Sequence, residues 1–291
     1  MPRHPFKQVD VFTDRPFFGN PVAVVLEADD IASEEMQRIA RWTNLSETTF
    51  VLRPTAAGAD YRLRIFTPTG ELPFAGHPTV GSAHAVIESG LVPPKPQLTQ
   101  ECRAGLLPLA ITGRDDQRQI SVQVPTPKIV RDGAPDPRAL STALGGAVSD
   151  NVAPLVVDVG PVWLVALADD VETVRRLAPD MGKLAALSRE LRITGVTVFS
   201  LSDGDGAAVH VRSFAPAAGV PEDPVCGSGN ACVAAFLAHA GLLKQVGASY
   251  SASQGTEIGR DGHVQVQVQD DGRQVSIGGQ AVTVVEGTLR V

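Results

Sequence analysis

The chain has 291 residues, 43% of them hydrophobic and 20% charged, which suits two folded lobes and excludes a disordered chain. The formal net charge is −7 with no Lys/Arg cluster, which excludes a nucleic-acid binder but not a small anionic substrate, because local fields can oppose the global sign. No run of 18 apolar residues is present and the start, MPRHPFKQVDVF, has no signal-type apolar core, so the expectation is a cytoplasmic protein that does not span a membrane.

Lys7–Phe12 alternates as a strand does and then meets Pro16 and Gly19; Pro21–Leu26 is the continuous apolar run of a buried strand. Residues 31–42 carry Ile31, Met36 and Ile39 at helical spacing behind the capping candidates Asp30 and Ser33. Strands are predicted at Thr48–Leu52 and Tyr61–Phe66, then a small, apolar helix over Gly76–Ser89. After a break at 91–96, strands follow at 106–112 and 119–124. Prolines at 125, 127, 135 and 137 mark 125–137 as an extended linker. The expected division is an N-terminal lobe, 1–130, and a C-terminal lobe, 131–291, with the last strand free to pair back into the first.

The second half repeats the first. Strands at Leu155–Val159 and Val162–Leu167 precede a helical stretch at 171–190, interrupted at Pro179. Strands at Val196–Leu201 and Ala207–Phe214 lead to a second small-residue helix, Gly227–Ala240, and the chain ends in strands at 263–269, 273–277 and 281–291. Leu164–Asp170 echoes Val24–Asp30. Arg64-Ile-Phe66-Thr-Pro68 recurs as Arg212-Ser-Phe214-Ala-Pro216, and Gly76…Gly90-Leu91 as Gly227…Gly241-Leu242. The offsets differ (212 − 64 = 148; 227 − 76 = 151), which places three extra residues in the loop entering the second helix. An all-round apolar helix is a buried one, so the fold class is α+β: two pseudo-symmetric lobes facing each other across a cleft, each a barrel-like mixed or antiparallel sheet around a central helix.

Both helices open on glycine-rich turns, Ala75-Gly76-His77-Pro78 and Cys226-Gly227-Ser228-Gly229. Pro78 suits a first helical turn and Ser228 an N-cap. Helix N-termini present unpaired N–H groups and partial positive charge, so such a pair fits a carboxylate; plain capping explains either turn alone. Glu47 stands among apolar neighbours at the start of a strand, and the second half has no acid at the matching place. Asp223 precedes Pro224 ahead of the second turn, His77 adjoins the first, and Cys226 before a helix would have a lowered thiol pKa if exposed. Cys226 and Cys232, six apart on one helix, are about 9 Å apart and too far for a disulfide. With Cys102 they form no zinc spacing.

Val9-Asp-Val-Phe-Thr…Gly19-Asn-Pro-Val-Ala-Val, Ser46-Glu-Thr-Thr-Phe, Arg64-Ile-Phe-Thr-Pro, Phe74-Ala-Gly-His-Pro-Thr-Val-Gly, Pro221-Glu-Asp-Pro-Val-Cys-Gly-Ser-Gly-Asn and Gly278-Gly279…Val285-Glu-Gly-Thr-Leu resemble the PhzF-like family nearly end to end. The resemblance implies the diaminopimelate-epimerase-like fold, a homodimer and a cofactor-independent isomerase acting on a small carboxylate. It implies Glu47 as general acid/base, His77, Asp223 and Ser228 in the site, and backbone donors at Gly76 and Gly227. Cys226 stands where the family usually has threonine. Related epimerases place two cysteines ahead of the helix-opening glycines; here those places hold Ala75 and Cys226.

Three readings follow. In the first, Glu47 moves a proton between two carbons, with Asp223 and His77 stabilising charge and no metal or organic cofactor. In the second, a racemase or epimerase uses Glu47 and Cys226 on opposite faces of one carbon. In the third, the scaffold is a non-catalytic binding protein, a reading that the joint presence of Glu47, His77, Asp223 and Ser228 disfavours.

Overall fold

A computed structural model of the chain describes residues 2–133, 137–202 and 206–291. The chain divides into two compact units, Met1–Gln123 with Gly278–Val291, and Val124–Ile277. The first break therefore falls a few residues ahead of 130, and a second falls near the end of the chain.

The first unit begins with β1 (Arg3–Val11), β2 (Asn20–Val25), α1 (Ser33–Thr43), β3 (Thr48–Leu52), β4 (Tyr61–Phe66) and β5 (Glu71–Leu72). It continues with α2 (Gly76–Glu88), β6 (Gln97–Cys102), β7 (Gly105–Thr112) and β8 (Gln119–Gln123). The helix α1 buries Met36, Ile39 and Ala40, one stripe at helical spacing, against Val25, Phe50 and Phe66. Asn44 closes it in the left-handed region (φ 55°), its amide returning to the Ala40 carbonyl. The helix α2 is different in kind: ten of its thirteen residues are buried. Its small side chains are required by the strands around it, since a Cβ on Gly81 would lie 2.5 Å from Val22 Cγ1 and 2.8 Å from Val11 Cγ2.

The second unit runs through β9 (Lys128–Asp132), α3 (Pro137–Leu144), β10 (Leu155–Asp158), β11 (Val162–Leu167), α4 (Val171–Arg175) and α5 (Met181–Leu191). Then come β12 (Gly195–Leu201), β13 (Val209–Ala215), β14 (Val220–Asp223), α6 (Gly227–His239) and α7 (Leu243–Val246). It ends with β15 (Ser249–Gln254), β16 (Gly262–Gln269) and most of β17 (Gln274–Gly279). The expected linker at 125–137 is in part a strand: β9 pairs antiparallel with β10, because an extended, proline-flanked segment finds an open sheet edge for its amides. Residues 134–136 of that expectation lie outside the described residues. The final strand, β18 (Ala281–Arg290), pairs antiparallel with β1 along its length, Arg3 opposite Arg290 and Val11 opposite Ala281. The buried Lys7 ammonium lies 2.8 Å from Glu88 Oε2 and 3.2 Å from Glu286 Oε2, tying β1 to α2 and to β18.

The two units repeat one ladder. In the first, β1–β2 is antiparallel, β2–β3 parallel across α1, β3–β4 antiparallel, β4–β6 parallel across α2, and β6–β7 antiparallel. In the second, β10–β11, β11–β12, β12–β13, β13–β15 and β15–β16 follow the same senses in the same order, with α4 and α5 in place of α1 and α6 in place of α2. Phe66 opposite Thr48 recurs as Phe214 opposite Val196. The echo of Val24–Asp30 in Leu164–Asp170 holds at the end only. Ala28 N–H bonds to Val51 O just as Ala168 N–H bonds to Phe199 O, yet Ala23 and Leu164 are the residues in equivalent register. The first copy takes up the extra residue at Glu27, which has a left-handed φ of 53°.

Each repeated arginine sits in the same clamp. The Arg64 guanidinium grips Glu71 with Nε–Oε1 at 2.8 Å and Nη2–Oε2 at 2.9 Å, and stacks 5.0 Å from the Phe66 centroid. Arg212 grips Glu222 with two bonds of 2.9 Å and stacks 5.0 Å from Phe214. Glu71 and Glu222 already carry the larger offset (222 − 71 = 151), so the three extra residues enter between Phe214 and Glu222. The insertion thus precedes the acid-bearing strand β14 and leaves the turn into α6 unchanged in length.

Candidate active site

In the first unit, β3 is entered by the loop 44–47, and Glu47 is its last residue. Its carbonyl accepts from Ala23 N–H (3.4 Å), which fixes it against β2. The side chain is 16% exposed, hydrogen bonds to Ser46, and brings Oε2 within 3.3 Å of His77 Nε2. His77 is buried at the second position of α2, so the carboxyl lies beside that helix's N-terminus. Pro78 sits in the same first turn, where a missing N–H leaves nothing unsatisfied. Burial raises the Glu47 carboxyl from its ordinary 4.5 to about 7, and the Ser46 hydrogen bond holds it from going higher. The structure thus brings together Glu47, Gly76 and His77. A carboxyl poised near neutrality can take a proton and give it back.

In the second unit, Asp223 ends β14 and its Oδ1 accepts from Val225 N–H at 3.1 Å, bridging Pro224. The N-cap of α6 is Cys226, not the expected Ser228. The Cys226 Sγ accepts from Gly229 N–H at 3.2 Å, because Cys226 has the extended backbone (φ −91°, ψ 104°) that a cap needs, whereas Ser228 is already the second residue of the helix. Burial pushes the Cys226 thiol well above its ordinary range, and the neighbouring Asp223 charge pushes in the same direction. At 3% exposure it is not the lowered-pKa cysteine that an exposed helix N-terminus would give. Ser228 Oγ instead accepts from Trp163 Nε1 at 3.0 Å. Asp223, Cys226, Gly227 and Ser228 therefore form one continuous turn. Cys102 is partly buried and Cys232 fully so; all three cysteines are free.

The register explains why the acid is one-sided. Glu47 corresponds to Gly195 (195 − 47 = 148) and His77 to Ser228 (228 − 77 = 151). A Cβ at Gly195 would lie 2.1 Å from Phe214 O and 2.8 Å from Trp163 Cζ3. The Trp163 indole crowds the place where a side chain at Gly195 would begin, and its N–H bonds Ser228, the counterpart of His77. Carboxyl beside imidazole has become indole beside hydroxyl. The sequence reading missed Trp163; the 141-position strand offset (163 − 22 = 141) was its only signal. Among the described residues, no group of three or more His, Cys, Asp or Glu side chains is arranged to hold a metal ion.

The family described as phenazine biosynthesis-like protein, PhzC-PhzF, matches over residues 9–287. The chain is 43% identical over 295 residues to antisense-enhancing sequence 1 of Schizosaccharomyces pombe, covering 99% of each. It is 36% identical over 290 residues to trans-2,3-dihydro-3-hydroxyanthranilate isomerase of Pseudomonas aeruginosa, covering 98% of each. The crystal structure of a Bacillus anthracis PhzF-family protein superposes with a TM-score of 0.88 at 29% identity, over all of both chains. A probable proline racemase from Agrobacterium radiobacter shares the fold, with a TM-score of 0.65 at 16% identity over 99% of this chain and 93% of its own. The duplicated unit, the motifs and these likenesses agree: the chain belongs to the phenazine biosynthesis-like PhzC-PhzF family, is an isomerase, and has the α+β fold shared with the racemases and epimerases.

Proposed function

We propose that the protein moves a proton between carbons of a small carboxylate without a cofactor, and that Glu47 carries the proton. The observation behind this is the Glu47 carboxyl itself: desolvated, 3.3 Å from His77, and raised to about 7. As carboxylate it removes a proton from one carbon; as the acid it returns that proton to another, ending in its starting state. His77 stabilises charge beside it, and the Gly76 amide at the head of α2 is a donor for an anionic group. Asp223, Gly227, Ser228 and Cys226 are proposed as substrate contacts, with Asp223 also assisting the transfer. The first compound to test is trans-2,3-dihydro-3-hydroxyanthranilate, which names the reaction of the Pseudomonas aeruginosa relative.

Nothing in the turn favours an epimerase using Cys226. Its thiol is buried, raised in pKa and occupied as a helix cap, which makes it a poor base. The proposal includes a cytoplasmic homodimer. Light scattering tests the dimer, and undiminished activity after treatment with EDTA and dialysis tests the cofactor independence.

The deciding experiment incubates wild type and Glu47→Gln with that compound and a panel of cyclic and amino-acid-derived carboxylates in heavy water, read by NMR. Proton migration in wild type, lost by roughly a hundredfold or more in Glu47→Gln, is expected. Equal rates in both proteins would refute Glu47 as the carrier. Exchange confined to one stereocentre would replace isomerisation with epimerisation.

A further inference from the structure

The turn that carries Asp223 and Cys226 is bonded both from within and from outside. Asp223 Oδ1 accepts from Val225 N–H, and Cys226 Sγ from Gly229 N–H. A further hold on its backbone lies some thirty residues on, at the end of β15. Gln254 is 1% exposed and makes three hydrogen bonds to this region. Its Nε2 donates to Asp223 O at 2.8 Å. Its Oε1 accepts from Cys226 N–H at 3.1 Å and from Asn230 Nδ2 at 3.1 Å. Asn230 in turn donates to Cys226 O at 2.9 Å. One buried amide therefore spans both ends of the Asp223–Cys226 turn and its seat on α6.

The backbone around Gln254 is built to the same purpose. Gly255 has φ +101° and passes so close that a Cβ would lie 2.5 Å from Pro224 O; a Cβ on Gly262 would lie 2.2 Å from Val225 Cγ2. The turn that follows, Thr256–Ile258, is pinned by Glu257 Oε1 at 2.8 Å from His210 Nε2, and His210 Nδ1 lies 2.9 Å from Ser253 Oγ. The first unit has its buried amide two residues earlier on the matching strand: Gln100 Nε2 donates to Thr79 Oγ1 at 3.2 Å, near the start of α2. Tyr61 opposite Gln100 recurs as Val209 opposite Ala252, so Cys102 holds the place of Gln254. At the register of Gln254 itself, the amide belongs only to the copy with the acid-bearing turn.

We propose that Gln254 is a positioning residue that sets the Asp223 and Cys226 backbone for the reaction. This rests on the reading of Asp223 as a site residue. Losing this amide removes the acceptor of Cys226 N–H and a donor to Asp223 O in a buried turn, so the turn must shift to replace them.

The test uses the full chain and three variants. Gln254→Met keeps the volume and removes all three bonds. Gln254→Glu restores them only as the neutral acid, which can donate to Asp223 O. Glu47→Gln controls for the reaction. The first readout needs no substrate: the rate at which iodoacetamide labels Cys226 in the native protein, by peptide mass spectrometry, with buried Cys232 as internal control. The expectation for Gln254→Met is faster labelling of Cys226 by on the order of tenfold with Cys232 unchanged, and kcat lowered by on the order of tenfold with KM within about threefold. For Gln254→Glu, protection of Cys226 and kcat, each taken relative to wild type at the same pH, both recover as pH falls, since a buried carboxyl holds its proton more tightly. Wild-type protection of Cys226 in Gln254→Met would overturn the proposal. So would exposed Cys226 with kcat and KM unchanged, or labelling of both cysteines alike, which signals general loosening. If Glu47→Gln turns over like wild type, the assigned reaction fails, while the labelling result still decides whether Gln254 holds the turn.

Discussion

Glu47→Gln has a consequence for stability that is independent of any substrate. The folded protein holds the Glu47 proton up to about pH 7, whereas an exposed glutamate releases it near 4.5. Between those values the native state binds more protons than the unfolded state, so stability falls as pH rises through this window and stays low above it. At about 1.36 kcal/mol per pKa unit, ionising the desolvated carboxyl costs the native state about 3 kcal/mol at pH 8.5. Glutamine has the shape of the neutral acid and no such window. With about 2.1 cal/mol/K of unfolding entropy per residue, a chain of this length has about 0.6 kcal/mol/K, so that cost corresponds to roughly 5 °C. Calorimetry of both proteins should therefore show near-equal Tm values at pH 5 and Glu47→Gln melting roughly 5 °C higher at pH 8.5. A Tm difference that is the same at both pH values, or a variant less stable at both, would refute the claim that burial holds this carboxyl protonated.

Ser46→Ala removes the hydrogen bond that favours the carboxylate, so the pH at which kcat/KM rises should move upward from about 7; an unchanged or lowered midpoint contradicts that role. Cys226→Ala should cost about 1 kcal/mol in urea unfolding through the lost cap, with kcat within severalfold of wild type; complete loss of activity would reinstate the epimerase reading. Glu222→Ala leaves Arg212, only 6% exposed, uncompensated, and should destabilise by about 3–5 kcal/mol. Glu71→Ala should cost less, because its partner Arg64 is 17% exposed; equal losses in thermal unfolding would contradict the difference in burial.

The strands and the two buried helices were legible because their apolar periods are long and uninterrupted, and the repeated Arg-x-Phe-x-Pro block exposed the duplication. The partners of those arginines were not. Glu71 and Glu222 share a Glu-x-Pro-x-x-Gly spacing that places the insertion ahead of them, but only the structure shows that they clamp the arginines. Glu47 could be singled out as an acid in an apolar context, but its contact with His77 joins residues thirty apart. Serine's usual preference pointed to Ser228 as the cap. Backbone angles decide that question, and they place Cys226 there. Trp163 and Gln254 read as ordinary strand residues, and their importance comes from which volume and which backbone groups they reach in three dimensions.

The pairing of β18 with β1 bears on the order in which the molecule can assemble during synthesis. The strand that completes the first unit leaves the ribosome after the whole of residues 124–277. At about 5–20 residues per second, β1 waits roughly fifteen to fifty-five seconds with one edge unpaired. The second unit, continuous in sequence, has no such delay. A nascent chain is thus exposed to strand-edge aggregation mainly through its oldest segment, where chaperone protection would matter most.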